Sequence, residues 1–266
     1  MKRIKLAKTI LKTLTKDRIR YPGKLFADMS TTISRCGILL ILYWYVFKLN
    51  NGAINGTTFL FVSWSIFLYF SLSLLRLRDI TRLIMQDIQT GNIEILLSKP
   101  ISYLSYRVWW QIGSTLYSFV IISILATVAL FLIVGFPPTM LAILFVPTLF
   151  ITFILSIILS LLIYIIIGLL SFWIEDVIPV LWMVDKSIMI LGGSYLPIAF
   201  FPDLMKKIAL YSPLGASQFV THTVGIEWQT TWYKLLTIQS LWILILGFVI
   251  YLMFKKAVKK VSINGG

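Results

Sequence analysis

Six long apolar runs, separated by more polar segments, decide what this 266-residue chain can become. They fall near 32–49, 57–76, 109–135, 141–170, 178–199 and 234–254. A helix needs about 20 apolar residues to cross the hydrocarbon core of a bilayer, so the runs predict six transmembrane helices. Apolar residues make up 59% of the chain and charged residues 13%, against roughly 45–50% and about 25% in an ordinary soluble domain. Too few polar side chains remain to coat a surface facing water. That excludes a cytosolic enzyme, a disordered tail and a secreted disulfide scaffold. Cys36 has no second cysteine to pair with, and with His222 as the single histidine a Cys/His zinc site lacks ligands.

The net charge of +14 takes its meaning from where it lies. Ten basic residues occupy the first 35 positions, and Lys255, Lys256, Lys259 and Lys260 stand near the end. Basic clusters beside apolar spans answer to the positive-inside rule and to anionic headgroups, and point to a membrane surface rather than to nucleic acid. With both termini cytoplasmic, the inner segments hold 19 basic residues. The outer ones hold four: Lys48, Lys206, Lys207 and Lys234. Trp109, Trp110, Trp173, Trp182, Trp228 and Trp232 fall near expected span ends, where amphipathic rings settle. Pro147 is expected to kink the fourth span.

Residues 1–24 read as an amphipathic helix lying in the headgroup layer rather than as a signal peptide. Ile4, Ala7, Ile10, Leu11 and Leu14 recur at helical spacing with lysines between them, and Tyr21-Pro22-Gly23 breaks the pattern. Two connections are too large to be plain turns, 77–108 and 200–233. In the first, Ile80, Leu83, Ile84 and Ile88 have helical spacing and Thr90-Gly91 supplies a stop. Asn92 is expected to cap a second short helix, with Glu94 in its first turn, and Pro100 to end it. An exposed Ile/Leu face on such a helix calls for a partner. The alternative is that Ile93, Leu96 and Leu97 pack on neighbouring spans or lipid.

No phosphate-binding Gly-x-x-x-x-Gly-Lys-Ser/Thr loop, His-Glu-x-x-His pair or Gly-x-Ser-x-Gly elbow occurs. His222, between Thr221 and Thr223, is expected to be a solvated loop residue. Asn55-Gly56-Thr57 matches a glycosylation sequon by chance. Glu175 and Asp176 are expected to be solvated loop charges or a contact for a partner. Asp185 and Lys186 fall inside the fifth run, where a charge at mid-helix costs about 2.5–3.5 kcal/mol. They either line a transport path or sit near the interface and snorkel. The small residues of Leu191-Gly192-Gly193-Ser194 permit close helix approach, between two subunits or within one.

The run Gly91-Asn92-Ile93-Glu94-Ile95-Leu96-Leu97-Ser98-Lys99-Pro100 resembles the cytoplasmic motif of ATP-binding-cassette export permeases of the second type, and stands between the second and third spans as that motif does. Asn92 replaces the small hydroxyl residue often found there. Leu191–Pro202 resembles the same family's end of the fifth span. Tyr211-Ser212-Pro213-Leu214-Gly215 and Thr223-Val224-Gly225 resemble its outer re-entrant helices. Together these cover nearly all of a single 1–266 transmembrane domain. The resemblance implies an all-α integral protein of the plasma (inner) membrane with six transmembrane helices and both termini cytoplasmic. It implies an interfacial helix at 1–24, a coupling segment at 77–108 and an outer re-entrant helical hairpin at 200–233.

The implied function is that of a permease subunit of an ATP-driven exporter, without enzymatic activity or a cofactor of its own. ATP and Mg would be held by a separate ATPase subunit in two copies. A second permease, identical or paralogous, would complete the path, with membrane lipids and no nucleic acid as further partners. Gly91, Ile93, Glu94, Leu96, Leu97 and Pro100 would form the ATPase-coupling site. Asp185, Lys186, Gly192, Gly193 and Pro197 would line the path or the subunit interface. Two rivals stand beside this reading. One is a lipid-modifying membrane enzyme, for which only Asp185, Glu175 and Asp176 offer acids. The other is a structural or immunity-type subunit that binds a partner without moving cargo.

Overall fold

Helices account for nearly all the regular structure of the computed structural model, which describes residues 2–54, 56–193, 200–225 and 227–264. In chain order they are α1 (Lys2–Arg20), α2 (Gly23–Leu49), α3 (Phe59–Ser73), α4 (Asp79–Gln89), α5 (Asn92–Leu97), α6 (Tyr103–Val134), α7 (Phe145–Leu169), α8 (Ile178–Leu191), α9 (Asp203–Tyr211), α10 (Pro213–Ala216) and α11 (Trp228–Asn264). Between α2 and α3, β1 (Ala53–Ile54) pairs antiparallel with β2 (Thr57–Thr58).

The central helix is α7, which packs against α4 and α11. Its sequence is apolar around the whole circumference, as befits a helix surrounded by others. A second pattern lies within it. Thr148, Thr152, Ser156, Ser160, Tyr164 and Gly168 recur every fourth residue, and the first five have buried side chains. That spacing puts them on one face, and small residues there let neighbouring helices approach. A Cβ added at Gly168 would lie 3.0 Å from Ile84 Cβ, so α4 rests directly on the backbone of α7. Two of the hydroxyls take bonds from α11: Thr148 Oγ1 accepts from Trp228 Nε1 at 3.0 Å and Ser156 Oγ accepts from Gln239 Nε2 at 3.0 Å.

Among the described residues, four segments are long and apolar enough to cross a membrane: Gly23–Leu49, Tyr103–Val134, Phe145–Phe172 and Thr230–Lys259. The other two expected spans are shorter than their apolar runs. Helix α3 has 15 residues, because Thr57 and Thr58 pair with β1 and Leu74–Leu77 form turns. Helix α8 has 14 residues, ending at Leu191; Gly192 caps it and Gly193 follows with a left-handed φ of 75°. At 1.5 Å per residue each covers about 22 Å, less than the roughly 30 Å of a hydrocarbon core. Pro147 produces no kink: α7 starts at Phe145, so the proline sits in the first turn, where no intrahelical N–H is lost. Helix α6 begins at Tyr103, six residues before the apolar run, because the stretch from Tyr103 to Val108 is helical as well.

Helix α1 does not lie free. It packs lengthwise on α6, burying Ala7 and Ile10. Gly113 allows the contact: a Cβ there would stand 3.0 Å from Leu14 Cδ1 and 3.3 Å from Leu11 Cδ2.

Candidate functional site

The segment joining α3 to α6 is an elbow built from local signals. Gly91, at φ 73°, takes the left-handed conformation that ends α4. Asn92 does not cap α5 as expected. It is the first helical residue, and Gly91 is the residue before it, its carbonyl accepting from the Glu94 N–H at 3.2 Å. The elbow's apolar face is divided. Ile93 is 3% exposed and turned into the core, and Leu96 and Leu97 are half-buried against it. Ile95, at 61%, is the apolar side chain that faces outward, flanked by exposed Glu94, Lys99 and Pro100.

A buried acid pins this elbow to α6. Asp87, in the last turns of α4, is 3% exposed. Its Oδ2 accepts from Arg107 Nε at 2.6 Å and from the Tyr103 hydroxyl at 2.7 Å, and Arg107 Nη2 reaches Oδ1. The fork geometry matches guanidinium to carboxylate. The Tyr103 ring in turn stacks on Phe254 of α11, with centroids 6.3 Å apart.

The other end of α4 is held too. Arg76, with φ 46°, makes the turn from α3 and binds Asp79 at 2.9 Å. Gln111 of α6 donates to the Leu75 and Arg76 carbonyls of that turn. Arg78 Nη1 donates to Asp185 Oδ2 at 3.0 Å, and the Tyr164 hydroxyl donates to Oδ1 at 2.9 Å. Burial disfavours the charge on Arg78, but Asp185 outweighs it and the guanidinium pKa rises above its ordinary value. Thr81 Oγ1 adds a bond to the Tyr164 carbonyl at 2.7 Å. Through α4, the elbow is therefore tied to α6, α7 and α8.

The described residues 200–225, between α8 and α11, turn inward. Phe201, Ala209, Ala216, Phe219, Val220, Thr221, Thr223 and Val224 are all buried. A Cβ on Gly215 would fall 1.9 Å from the Ala209 carbonyl oxygen, so α9 and α10 meet backbone to backbone. One on Gly192 would fall 2.4 Å from Gln218 Cγ. Ser65 Oγ donates to the Thr221 carbonyl, and Gln239 Nε2 to the Ala216 carbonyl. His222 is half-buried, not solvated as expected. Its Nε2 is out of contact with solvent, and desolvation lowers its pKa to about 4.

A family model described as "ABC-2 family transporter protein" matches residues 36–265. The chain belongs to that family. It is an integral membrane permease of the ABC transporter class. No curated protein matches the chain.

In this permease the expected site residues divide by placement. Gly91, Glu94 and Pro100 lie on the outer surface of the elbow, Leu96 and Leu97 on its flank, and Ile93 behind it. Asp185 points into the bundle at Arg78 and Tyr164, whereas the adjacent Lys186 is exposed. Gly192 and Gly193 are buried, Gly192 against Gln218 of the same chain. Pro197 and Asn55 lie outside the described residues. Sequence reasoning missed Asp87, Tyr103 and Arg107. The available signal was a lone acid on the Ile80/Ile84/Ile88 side of an otherwise apolar helix face. It also passed over Ile95 in favour of its more buried neighbours.

Proposed function

We propose that this permease is half of an ATP-driven exporter, and that the α4–α5 elbow is where a separate ATPase subunit grips it. In this reading α2, α3, α6, α7, α8 and α11 are six crossings, α3 and α8 being completed by the turns that flank them. Both termini and the elbow face the cytoplasm, and the α9–α10 hairpin closes the outer end. Two ATPase subunits carry ATP and Mg, and a second permease supplies the other half of the path.

The observation that carries this reading is the pairing of an exposed Ile95 with a buried anchor, Asp87 on Arg107 and Tyr103. A docking helix that passes on movement must offer an apolar contact and must not yield where it joins the spans. A buried, bidentate pair supplies that stiffness. ATP-driven closure of the ATPases then moves the elbow as a rigid body. Arg78 and Thr81 on α4 pass the displacement to Asp185 of α8 and to α7. Export, rather than import, follows the resemblance of Gly91–Pro100 to export permeases.

Co-purification with an ABC ATPase tests the docking. Ile95→Asp leaves the core untouched, because the side chain is 61% exposed. It is expected to lower recovery of the ATPase by a factor of ten or more, as loss of an apolar anchor worth about 2 kcal/mol does. Full recovery of the ATPase with Ile95→Asp would refute docking at this elbow.

A further inference from the structure

We propose that the cleft between α1 and α6 is a binding site for one acidic phospholipid, its phosphate held by Lys8, Lys12 and Lys16. The cleft is open and has a volume of about 770 Å³, within the roughly 300–1,000 Å³ of ordinary ligand clefts. Ala7, Leu11 and Trp109 give it an apolar floor, and the three lysines form one rim. A four-residue spacing places the lysines on one face of α1, about 6 Å apart along the axis. All three are exposed.

Charge complementarity names the occupant. Among the described residues, no ion pair engages Lys8, Lys12 or Lys16. The facing wall, α6, contains no Asp or Glu along its length, and α1 contains only Asp17. Three uncompensated ammonium groups above an apolar floor match a ligand with an anionic head and hydrocarbon chains. Each basic residue near an anionic headgroup contributes about a fivefold gain in affinity at moderate salt.

Packing makes this a site rather than diffuse adhesion. A free amphipathic helix floats with its apolar face in lipid. Here Ile10 and Leu14 are spent on α6, with Gly113 letting the two helices close up. What remains for lipid is the wedge beside that contact. Trp109, half-buried at its floor, stands where an indole meets the headgroup layer. The site joins α1, which precedes the family match at residues 36–265, to Trp109 within it. It does not depend on whether the chain exports.

The test uses the full chain in phosphatidylcholine vesicles containing a minor fraction of phosphatidylglycerol. One of the two lipids is brominated at a time, at equal mole fraction. The Trp109 signal is the fluorescence difference between the native chain and Trp109→Phe. Brominated phosphatidylglycerol is expected to quench this signal several-fold more than brominated phosphatidylcholine. K8Q/K12Q/K16Q should erase the preference, and K255Q/K256Q, at the other basic cluster, should keep it. Raising the salt on the native chain to about 1 M, where screening reaches about 3 Å, should erase it too, which needs no variant to fold. Equal quenching by the two lipids would overturn the proposal, as would a preference that survives K8Q/K12Q/K16Q or high salt, or one that K255Q/K256Q abolishes. A K8Q/K12Q/K16Q variant that sheds the ATPase yet keeps its lipid preference would assign the lysines to a protein partner instead.

Discussion

The Arg78 guanidinium meets the Asp185 carboxylate at 3.0 Å across 107 positions of chain. The pair joins the first residues of the elbow helix to the middle of α8. Since Tyr164 donates to the second carboxylate oxygen, Asp185 is the shared acceptor of two donors. A charge inside an apolar run is thereby explained without a ligand: the acid is neutralised within the chain.

That sharing sets an order of stabilities. Replacing Asp185 by Leu strands the Tyr164 hydroxyl and leaves Arg78 unpaired, at a cost of about 1–3 kcal/mol. Replacing Arg78 by Ala removes a partner that is 42% exposed, and pairs that open to solvent contribute about 0–1 kcal/mol. Thermal unfolding of the purified permease should therefore place Asp185→Leu below Arg78→Ala, and Arg78→Ala near the native protein. Equal midpoints for the two variants would mean that Tyr164 does not depend on Asp185.

The Asp87 anchor predicts a larger loss. Its side chain is 4% exposed and that of Arg107 13%. Removing one member of a buried pair leaves an uncompensated charge and costs about 3–5 kcal/mol. Asp87→Ala should unfold well below the native midpoint, and Tyr103→Phe, which deletes one neutral donor, should cost about 1 kcal/mol. Hydrogen exchange separates local from global effects. In Asp87→Ala, the amides of α4 and α5 should lose protection first, while those of α7 keep theirs.

Three glycines are predicted to respond to Ala for different reasons. At Gly91 there is room, since nothing lies within 4 Å of an added Cβ, but φ is 73°. The cost is the left-handed strain of an L-residue, about 1–2 kcal/mol. At Gly215 and Gly192 the obstacle is contact, with the Ala209 carbonyl at 1.9 Å and with Gln218 Cγ at 2.4 Å. Backbone cannot yield at Gly215, so Gly215→Ala should be the most destabilising of the three. Gln218→Gly, which removes both Cγ and the Cβ at 2.6 Å, should partly rescue Gly192→Ala, the Ile188 carbonyl at 2.6 Å limiting the recovery, and leave Gly215→Ala unimproved. Midpoints measured for the singles and the double variants decide this.

What the sequence made legible was local. The Gly91 stop, the acid in the first turn of α5 and the apolar runs of α2, α6, α7 and α11 each depend on residues within a few turns of one another. Run length overstated α3 and α8, because apolar residues also fill turns and the β1–β2 pair when neighbouring helices cover them. Asp87 escaped notice because its partners lie 16 and 20 positions away on another helix. Asp185 was noticed, but Arg78 could not be matched to it from spacing. The four-residue stripe on α7 was readable as a pattern. Its purpose appeared only when Ile84, Trp228 and Gln239 were found against it.

His222 makes the stability of the segment between α10 and α11 dependent on pH. Its pKa falls from an ordinary 6.5 to about 4 because the ring is desolvated, and its Nε2 has no partner among the described residues. Between those two values the unfolded chain binds a proton that the folded chain refuses. Stability is thus fully present above about pH 6.5 and drains away as pH falls toward 4, by at most about 3 kcal/mol from this group. Unfolding midpoints of the native permease and of His222→Gln should run parallel above pH 7 and diverge below 6, the native protein falling faster. Parallel curves down to pH 4 would mean that the ring is hydrated after all. A native curve that falls more slowly than that of His222→Gln would mean that the ring gains a carboxylate partner on protonation.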